Sequence, residues 1–544
     1  MSESRPSQRG ARSFDSTAAR VDVSKMPRVL QRITARALRY PGRMALAIGC
    51  SLGAAAASLT LPRLFGQGVD QAGALLKAGA AHAGEAQGAL WGTALLVIAA
   101  TVIRGVLTMM TGYQGEYVSQ RVGYDLRLQY FQQLQRLSFG FHDRIHSGDL
   151  VTRGMLDLEG ARVFIQNGVM QLISLLLLLG FASYMMLTTD LVMGLIGLAF
   201  VPIAGFALGR MGFLLRVTWL RVQELMAVLT LTMEENLQGI RVVRAFAGKR
   251  FEMAKFDAAS KEALDFSYKR ITLRFRAVSV MSVSFYGSMG LLLWYGGHKV
   301  VGGAMSVGKL TEFLTYMTLL QTPIRQIAMI FNAAARATSS GARLFEVLDL
   351  EPGIADAPGA KPLAPGAGTL RFENVDFAFD PVGKQVLKDV SFEVRAGQTL
   401  GIVGPPGSGK STIANLIPRF YDVSGGAITI DGQDIREVTL ASLREYVGLV
   451  QQESFLFDAS IGHNVAYADP WADDARIEGA ARTAQIHDHI AGLPEAYETR
   501  VGERGVALSG GQRQRLSIAR GVVPGPGVMV FDDSTAAIDA VTER

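Results

Sequence analysis

Residues 44–62 contain no charged side chain, and Arg43 and Arg63 stand at the two ends of the run. Lipid offers no partner for backbone N–H and C=O groups, so a run of this length is expected to cross a bilayer as a helix. Comparable runs follow at about 88–112, 168–189, 191–208 and 277–297, with a more polar one at about 310–331. Only Asp190 separates the third from the fourth, which predicts a tight hairpin. The second run holds Arg104, and the sixth holds Glu312, Pro323 and Arg325. The first 350 residues are therefore expected to form an all-α, six-helix transmembrane domain. Hydrophobic residues make up 49% of the chain and charged ones 19%, a balance too apolar for a wholly soluble protein of this length.

Arginine placement predicts the orientation. The N-terminal flank, the stretch between runs two and three (Arg121, Arg127, Arg136, Arg144, Arg153) and that between runs four and five (Arg216, Arg221, Arg241, Arg244, Arg250) are all arginine-rich. The stretch from Arg63 to Gln87 and the turn at Asp190 are not, so they fall outside and both chain ends fall in the cytosol. Lys299 and Lys309 are the two exceptions. The two inner stretches keep a helical pattern, as if the spans continued into the cytosol, and the Ala- and Gly-rich patch at 72–87 reads as outer loop. Residues 1–27 are polar, lack the apolar centre of a secretory signal, and read as a disordered cytosolic tail. Arg32, Arg36, Arg39 and Arg43 recur at helical spacing and suggest an amphipathic helix along the membrane, ending at Pro41-Gly42. The net charge of +6 is carried by arginines flanking apolar runs, so it suits a lipid surface and not nucleic acid. The lone Cys50 excludes a disulfide framework or a Cys-based zinc site within the chain.

Prolines 352, 358, 362 and 365 mark a linker at 351–368. Beyond it, in residues 369–544, short strands and turns (Leu370-Phe372, Val390-Val394, Ile428-Ile430) predict an α/β domain. Gly404-Pro405-Pro406-Gly407-Ser408-Gly409-Lys410-Ser411-Thr412 has the spacing of a phosphate-binding loop. The apolar run Thr399–Val403 before it reads as a buried strand, and Thr412–Phe420 after it as a helix. Such a loop turns backbone N–H groups toward phosphate oxygens; Lys410 reaches the β- and γ-phosphates, and the Ser411 hydroxyl ligates Mg²⁺. Val528–Phe531 is an apolar strand ending at Asp532, a second Mg²⁺ ligand. Leu508-Ser509-Gly510-Gly511-Gln512 precedes a helix expected from about Arg513 and suits a second anion site. Gln452 follows the strand Val447–Val450 and is placed to reach Mg²⁺ and the attacking water. Phe379 lies upstream of the loop, where it could stack on adenine. These residues name ATP and Mg²⁺ as cofactors.

On these motifs residues 28–544 resemble an ATP-binding cassette exporter half-transporter, with six spans followed by one nucleotide-binding domain. Leu508–Gln512 matches the family's signature sequence, Gln452-Glu453 its Q-loop, and Ala536-Ala537-Ile538-Asp539 its D-loop. Thr499–Gly505 resembles the segment before the signature. Gly148-Asp149-Leu150 with Arg153, and Gln238–Phe246, resemble its two intracellular loops. The resemblance implies a multi-pass protein of a bacterial inner or plasma membrane whose cytosolic nucleotide domain pairs with that of a second half-transporter. Two ATPs are then sandwiched head to tail, and closure flips the spans from inward- to outward-facing to move a small molecule, lipid or peptide.

Two departures matter. Asp533 follows Asp532 where active relatives carry glutamate, the residue that polarises the attacking water. The chain's own site is therefore expected to bind Mg-ATP and hydrolyse it slowly, while its intact signature completes the partner's site. That pattern resembles the degenerate subunit of a heterodimeric exporter; the alternatives are a homodimer with slow turnover and an ATP-gated, non-hydrolytic subunit. The family's histidine about thirty residues past the D-loop has no counterpart before Arg544, so a C-terminally truncated nucleotide domain is expected. Glu312 and Arg325 read as pathway charges, and Arg104 as an interfacial one. The methionines at 109, 110, 185, 186, 281, 289, 317 and 329 read as ordinary packing, His487 and His489 as surface residues of a helical subdomain, and Glu234 and Glu235 as a solvated face.

Overall fold

The structure is a computed structural model, which describes residues 26–77, 83–380, 383–502, 505 and 508–533. The chain forms two compact units, Met1–Phe131 with Val151–Leu348 and Gln132–Leu150 with Asp349–Arg544. In the first unit α1 (Met26–Ala37) buries Val29, Ile33 and Ala37. Their four-residue spacing forms one stripe, and that stripe packs on the later helix α12 (Val307–Leu348). Arg32 and Arg36 lie over the Phe345 ring, with guanidinium carbons 3.9 and 5.2 Å from its centroid. The apolar face expected to enter lipid is thus spent inside the protein, a correction to the membrane-surface reading.

Helix α2 (Pro41–Lys77) opens at Pro41, where a missing N–H costs nothing, and continues through Pro62. Pro41-Gly42 therefore starts a helix and does not end one. The expected outer loop from Arg63 is mostly helix, because α2 runs to Lys77 and α3 (Ala83–Arg136) follows. Neighbouring helices make such a proline tolerable within a spanning bundle.

The inner stretch after α3 is interrupted. Ser138 adopts an extended conformation, φ −68° and ψ 158°, and a single turn α4 (Phe139–His142) follows. The chain then climbs through α5 (Ser147–Thr152), α6 (Leu158–Phe164) and α7 (Gln171–Thr189), joined by π-helical turns at Arg153–Asp157 and Ile165–Met170. The hairpin expected at Asp190 is present. Asp190 is extended, and its carboxylate accepts from the Met193 N–H at 3.1 Å to cap α8 (Leu191–Leu198) and pairs with Lys299. Next come α9 (Phe200–Gln238), α10 (Ile240–Ala245), α11 (Lys249–Val301) and α12 (Val307–Leu348).

Among the described residues five helical stretches are long and apolar enough to cross a membrane: Pro41–Leu76, Gln87–Arg136, Ser147–Thr189, Leu191–Gln238 and Lys249–Val301. The sixth expected run lies in α12, a continuous helix that is not among them. Its position in the bundle explains its polarity. Phe313, Tyr316, Met317, Leu320 and Ile324 are buried in a cluster with Phe200, Phe285 and Leu292, so α12 faces protein on several sides and needs less lipid-compatible surface.

In the second unit β1 (Leu370–Phe377) pairs antiparallel with β2 (Leu387–Val394) and β3 (Gly425–Ile430), and β4 (Gln433–Asp434) adds an edge, in the order β2-β1-β3-β4. β5 (Val447–Val450) and β6 (Val528–Phe531) form a separate parallel pair. The helices are α13 (Lys410–Leu416), α14 (Leu440–Tyr446), α15 (Ile461–Val465), α16 (Asp474–Thr483), α17 (His487–Ala491) and α18 (Gly510–Val522). One core gathers Phe372, Phe377, Ile428 and Leu443, and another gathers Leu456, Ile490 and Leu516. The helix after the loop is shorter than expected because Pro418 bars its continuation. Thr399–Val403 is not a strand: it has no ladder partner among the described residues, and Val403 is 94% exposed. An apolar run becomes a strand only beside a neighbour that pairs with it.

Candidate nucleotide site

The loop is built for close approach by a ligand. Gly409 has φ 95°, a conformation that disfavours any side chain, and a Cβ there would lie 2.8 Å from Leu387 Cδ2. Ser408 N–H donates to the Pro405 carbonyl at 3.2 Å and closes the turn. Lys410 opens α13 and bends back over the loop, its Nζ donating to the carbonyls of Gly404 at 2.9 Å and Pro405 at 3.1 Å. The ammonium is thus held in the mouth of the loop by acceptors it can exchange for phosphate oxygens.

Three residues distant in sequence converge on this loop's edge. Ser411 Oγ donates to Asp532 Oδ1 at 2.9 Å. The Asp532 N–H donates to the Val450 carbonyl at 2.9 Å, so the acid is fixed by the end of the β5–β6 ladder. Gln452 Nε2 donates to Asp533 Oδ2 at 3.3 Å, and Asp533 is held at φ 46°. The structure therefore brings Ser411 to Asp532 and Gln452 to Asp533.

The remaining predicted residues are arranged separately. Phe379 is half exposed and meets Phe377 and Tyr421 edge to face, with centroids at 4.9 and 5.3 Å. The signature helix starts at Gly510, earlier than expected. Ser509 Oγ accepts from Gln512 N–H at 3.3 Å while Gln512 Oε1 accepts from Ser509 N–H at 2.8 Å, a reciprocal cap. Gly510 and Gly511 lie in the first turn of this helix. Ser509→Ala should lower the nucleotide domain's melting temperature by about 2–4 °C, the effect of losing roughly 1 kcal/mol of capping; differential scanning calorimetry measures it. Ala536–Asp539, Glu503 and Arg504 lie outside the described residues, as does the Arg325 side chain.

Two features were not anticipated. Arg520 of α18 donates to the carbonyls of Asn464 and Phe455 and to Asn464 Oδ1, each at 2.9 Å. Burial lowers its pKa, and this knot ties the segment after Gln452 to the helix that begins at the signature. The second feature is that residues 132–150 belong to the nucleotide domain's unit. Phe139 stacks on Phe420 at 4.0 Å, and the Tyr421 hydroxyl donates to Asp143. Burial, and then the Asp143 hydrogen bond, hold the Tyr421 proton well above its usual range. The Ser138-Phe139-Gly140-Phe141 sequence, aromatic residues after a polar helix, was the available signal.

A membrane-crossing helical unit fused to a phosphate-loop unit with an acid-terminated strand and a capped signature helix defines an ATP-driven transporter. The family model for the ABC transporter transmembrane region matches residues 44–324, and the ABC transporter model matches residues 387–536. The chain belongs to the ATP-binding cassette (ABC) transporter family, as an exporter-type half-transporter with fused membrane and ATPase domains. It is 34% identical to the uncharacterized ABC transporter ATP-binding protein YknU of Bacillus subtilis (strain 168), over 82% of this chain and 76% of that one. It is 31% identical to the ATP-dependent lipid A-core flippase of Syntrophus aciditrophicus (strain SB), over 82% of this chain and 74% of that one. The solved structure of a bacterial Atm1-family ABC exporter with ATP bound matches with a TM-score of 0.73 and 30% identity, covering 93% of this chain and 87% of that chain. The protein is thus a multi-pass integral membrane ABC exporter with a cytoplasmic nucleotide domain, an ATPase coupled to transport, and exporters of this kind work as dimers.

Proposed function

We propose that this chain is the slow-site half of a heterodimeric exporter for an amphipathic or lipidic substrate. The observation that carries the reading is the Asp533–Gln452 contact. It holds a carboxylate one methylene shorter than glutamate, set back by about 1.5 Å, the length of one C–C bond. A general base must come within about 2.6–3.2 Å of the proton it takes. Lys410 and the loop N–H groups bind the β- and γ-phosphates, and Phe379 stacks on the base. Ser509, Gly510, Gly511 and Gln512 complete the partner's ATP site.

Ser411 Oγ and Asp532 Oδ1 converge as a hard-oxygen pair, and no cluster of three His, Cys, Asp or Glu residues exists among the described residues. That donor set fits Mg²⁺, which Ser411 and Asp532 would hold and Gln452 would approach. When bound, the ion would neutralise charge on the phosphates. The substrate reading is supported by the lipid A-core flippase among the relatives and by the wide apolar surface of the bundle.

Vanadate trapping of nucleotide in the purified complex tests this reading. One trapped nucleotide per dimer is expected; two would favour a homodimer with competent sites, and none a non-hydrolytic gate. A second expectation concerns pairing. On and beside α10, Val242, Phe246 and Phe251 are 61%, 82% and 73% exposed. Such bare apolar residues at a helix tip suit the second subunit. Phe246→Asp should lower the dimer fraction or the ATPase activity about tenfold, as loss of a buried aromatic anchor does; light scattering in detergent and phosphate release measure it.

A further inference from the structure

α12 leads through the linker into the cytoplasmic nucleotide domain, so its N-terminal end, at Val307, lies on the outer side. α2 starts at the arginine-rich inner flank, so Arg63 to Asp70 lie at the outer side too. There the two backbones touch. A Cβ on Gly66 would lie 2.6 Å from the Gly308 carbonyl oxygen, and one on Gly308 would lie 2.1 Å from that of Gly66. Asp70 bridges the contact, its carboxylate accepting from Gly308 N–H at 2.7 Å and from the Ser306 hydroxyl at 2.6 Å.

One turn further in sits Glu312, with a side chain 5% exposed. Its Oε2 accepts from Lys309 Nζ at 3.1 Å, but its buried Oε1 has no hydrogen-bond partner. Two donors stand close without hydrogen-bonding it. Arg63 Nε is 3.5 Å from Oε1, while the same guanidinium gives Nη2 to the Met185 thioether on α7 at 3.0 Å. The Tyr316 hydroxyl donates to the Leu59 carbonyl at 3.1 Å. A buried carboxylate oxygen held by a 3.5 Å ion pair and no hydrogen bond is costly, and an apolar residue would serve a permanent helix contact better. The arrangement is one short side-chain movement from a full Arg63–Glu312 pair.

We propose that Glu312 is the positioning residue of an outer clasp between α2 and α12, and that its ion pair with Arg63, whose guanidinium also rests on Met185, keeps the clasp shut. The clasp holds the outer end closed in the nucleotide-poor state and releases when ATP binds. Glu312 touches neither nucleotide nor Mg²⁺; it acts on the position of the two helices.

The test uses the complete dimer in nanodiscs, with Cys50→Ala and spin labels at Gln67→Cys and Val307→Cys, diluted so that each dimer carries one labelled subunit. Gln67 and Val307 are exposed and flank the clasp. Electron–electron resonance should give one short distance without nucleotide and a longer one after ATP–vanadate trapping. Glu312→Gln should raise the long-distance population without nucleotide about tenfold, the change expected for losing the Arg63–Glu312 ion pair that joins the two helices. Basal ATP turnover should persist. Asp70→Asn, at the water-exposed end, should shift the population in the same direction and carries the test if Glu312→Gln does not fold. A label distance identical in all nucleotide states, or wild-type populations in the folded variants, would overturn the proposal.

Discussion

Lys410→Ala is expected to empty this chain's own ATP site and stop transport. The ammonium sits at the mouth of the loop on the carbonyls of Gly404 and Pro405, so it braces the empty loop and, on the proposed assignment, binds the phosphates of the filled one. Alanine removes both roles. A hydrogen bond to a charged group contributes about 1.5–3 kcal/mol, which makes a loss of roughly 10- to 150-fold in ATP affinity from one such bond alone. The loop would also relax, and its N–H groups would lose their common focus. Photolabelling with 8-azido-ATP, followed by separation of the subunits, measures occupancy site by site. Full labelling of this chain together with unchanged transport would contradict the assignment of the loop. Lys410→Arg is the informative companion, since it keeps the charge but not the compact shape that fits between two carbonyls.

The second large effect runs in the opposite direction. Asp533→Glu should raise ATP turnover at this chain's site, because the added methylene carries the carboxylate toward the water that Gln452 orients. Misplacement of about 1 Å can cost roughly 10²-fold, so restoring reach should recover a gain of up to that order. Single-site turnover is measured with the partner's own site disabled. Gln452 Nε2 already donates to Asp533 Oδ2, and the longer side chain must keep that contact. If turnover does not rise, geometry at Asp533 is not what limits the site, and the slow-site reading falls. Together the two variants separate binding from chemistry.

Much of this was legible in the chain itself, because the decisive residues answer to local rules. The loop glycines, Ser411 and the acid after Val528–Phe531 announce themselves by spacing, and the structure brings Ser411 to Asp532. The Asp190 hairpin was visible because two uncharged runs leave only one residue between them. What was missed depends on neighbours distant in sequence. Arg32 and Arg36 have the spacing of a lipid-facing helix, yet Phe345 and Gly341 on α12 offer that stripe a better partner. Pro62 looked like the end of a span, yet α2 continues because packing repairs what the proline removes. Thr399–Val403 has strand composition and no ladder. Residues 139–142 looked like more of a long helix until Phe420 and Tyr421 supplied a reason to turn. The Arg520 knot has no periodic signature at all, since its acceptors are backbone carbonyls and one buried asparagine.

The single-residue reversal at Asp190 also limits how the molecule can be handled. With no slack between the two spans, neither can slide past the other, so a fluorophore on either one would report the displacement of both. The same economy leaves outside reagents almost nothing to grip there. An epitope inserted at that point would have to prise apart the carboxylate's hold on Met193 and Lys299 before any antibody could reach it.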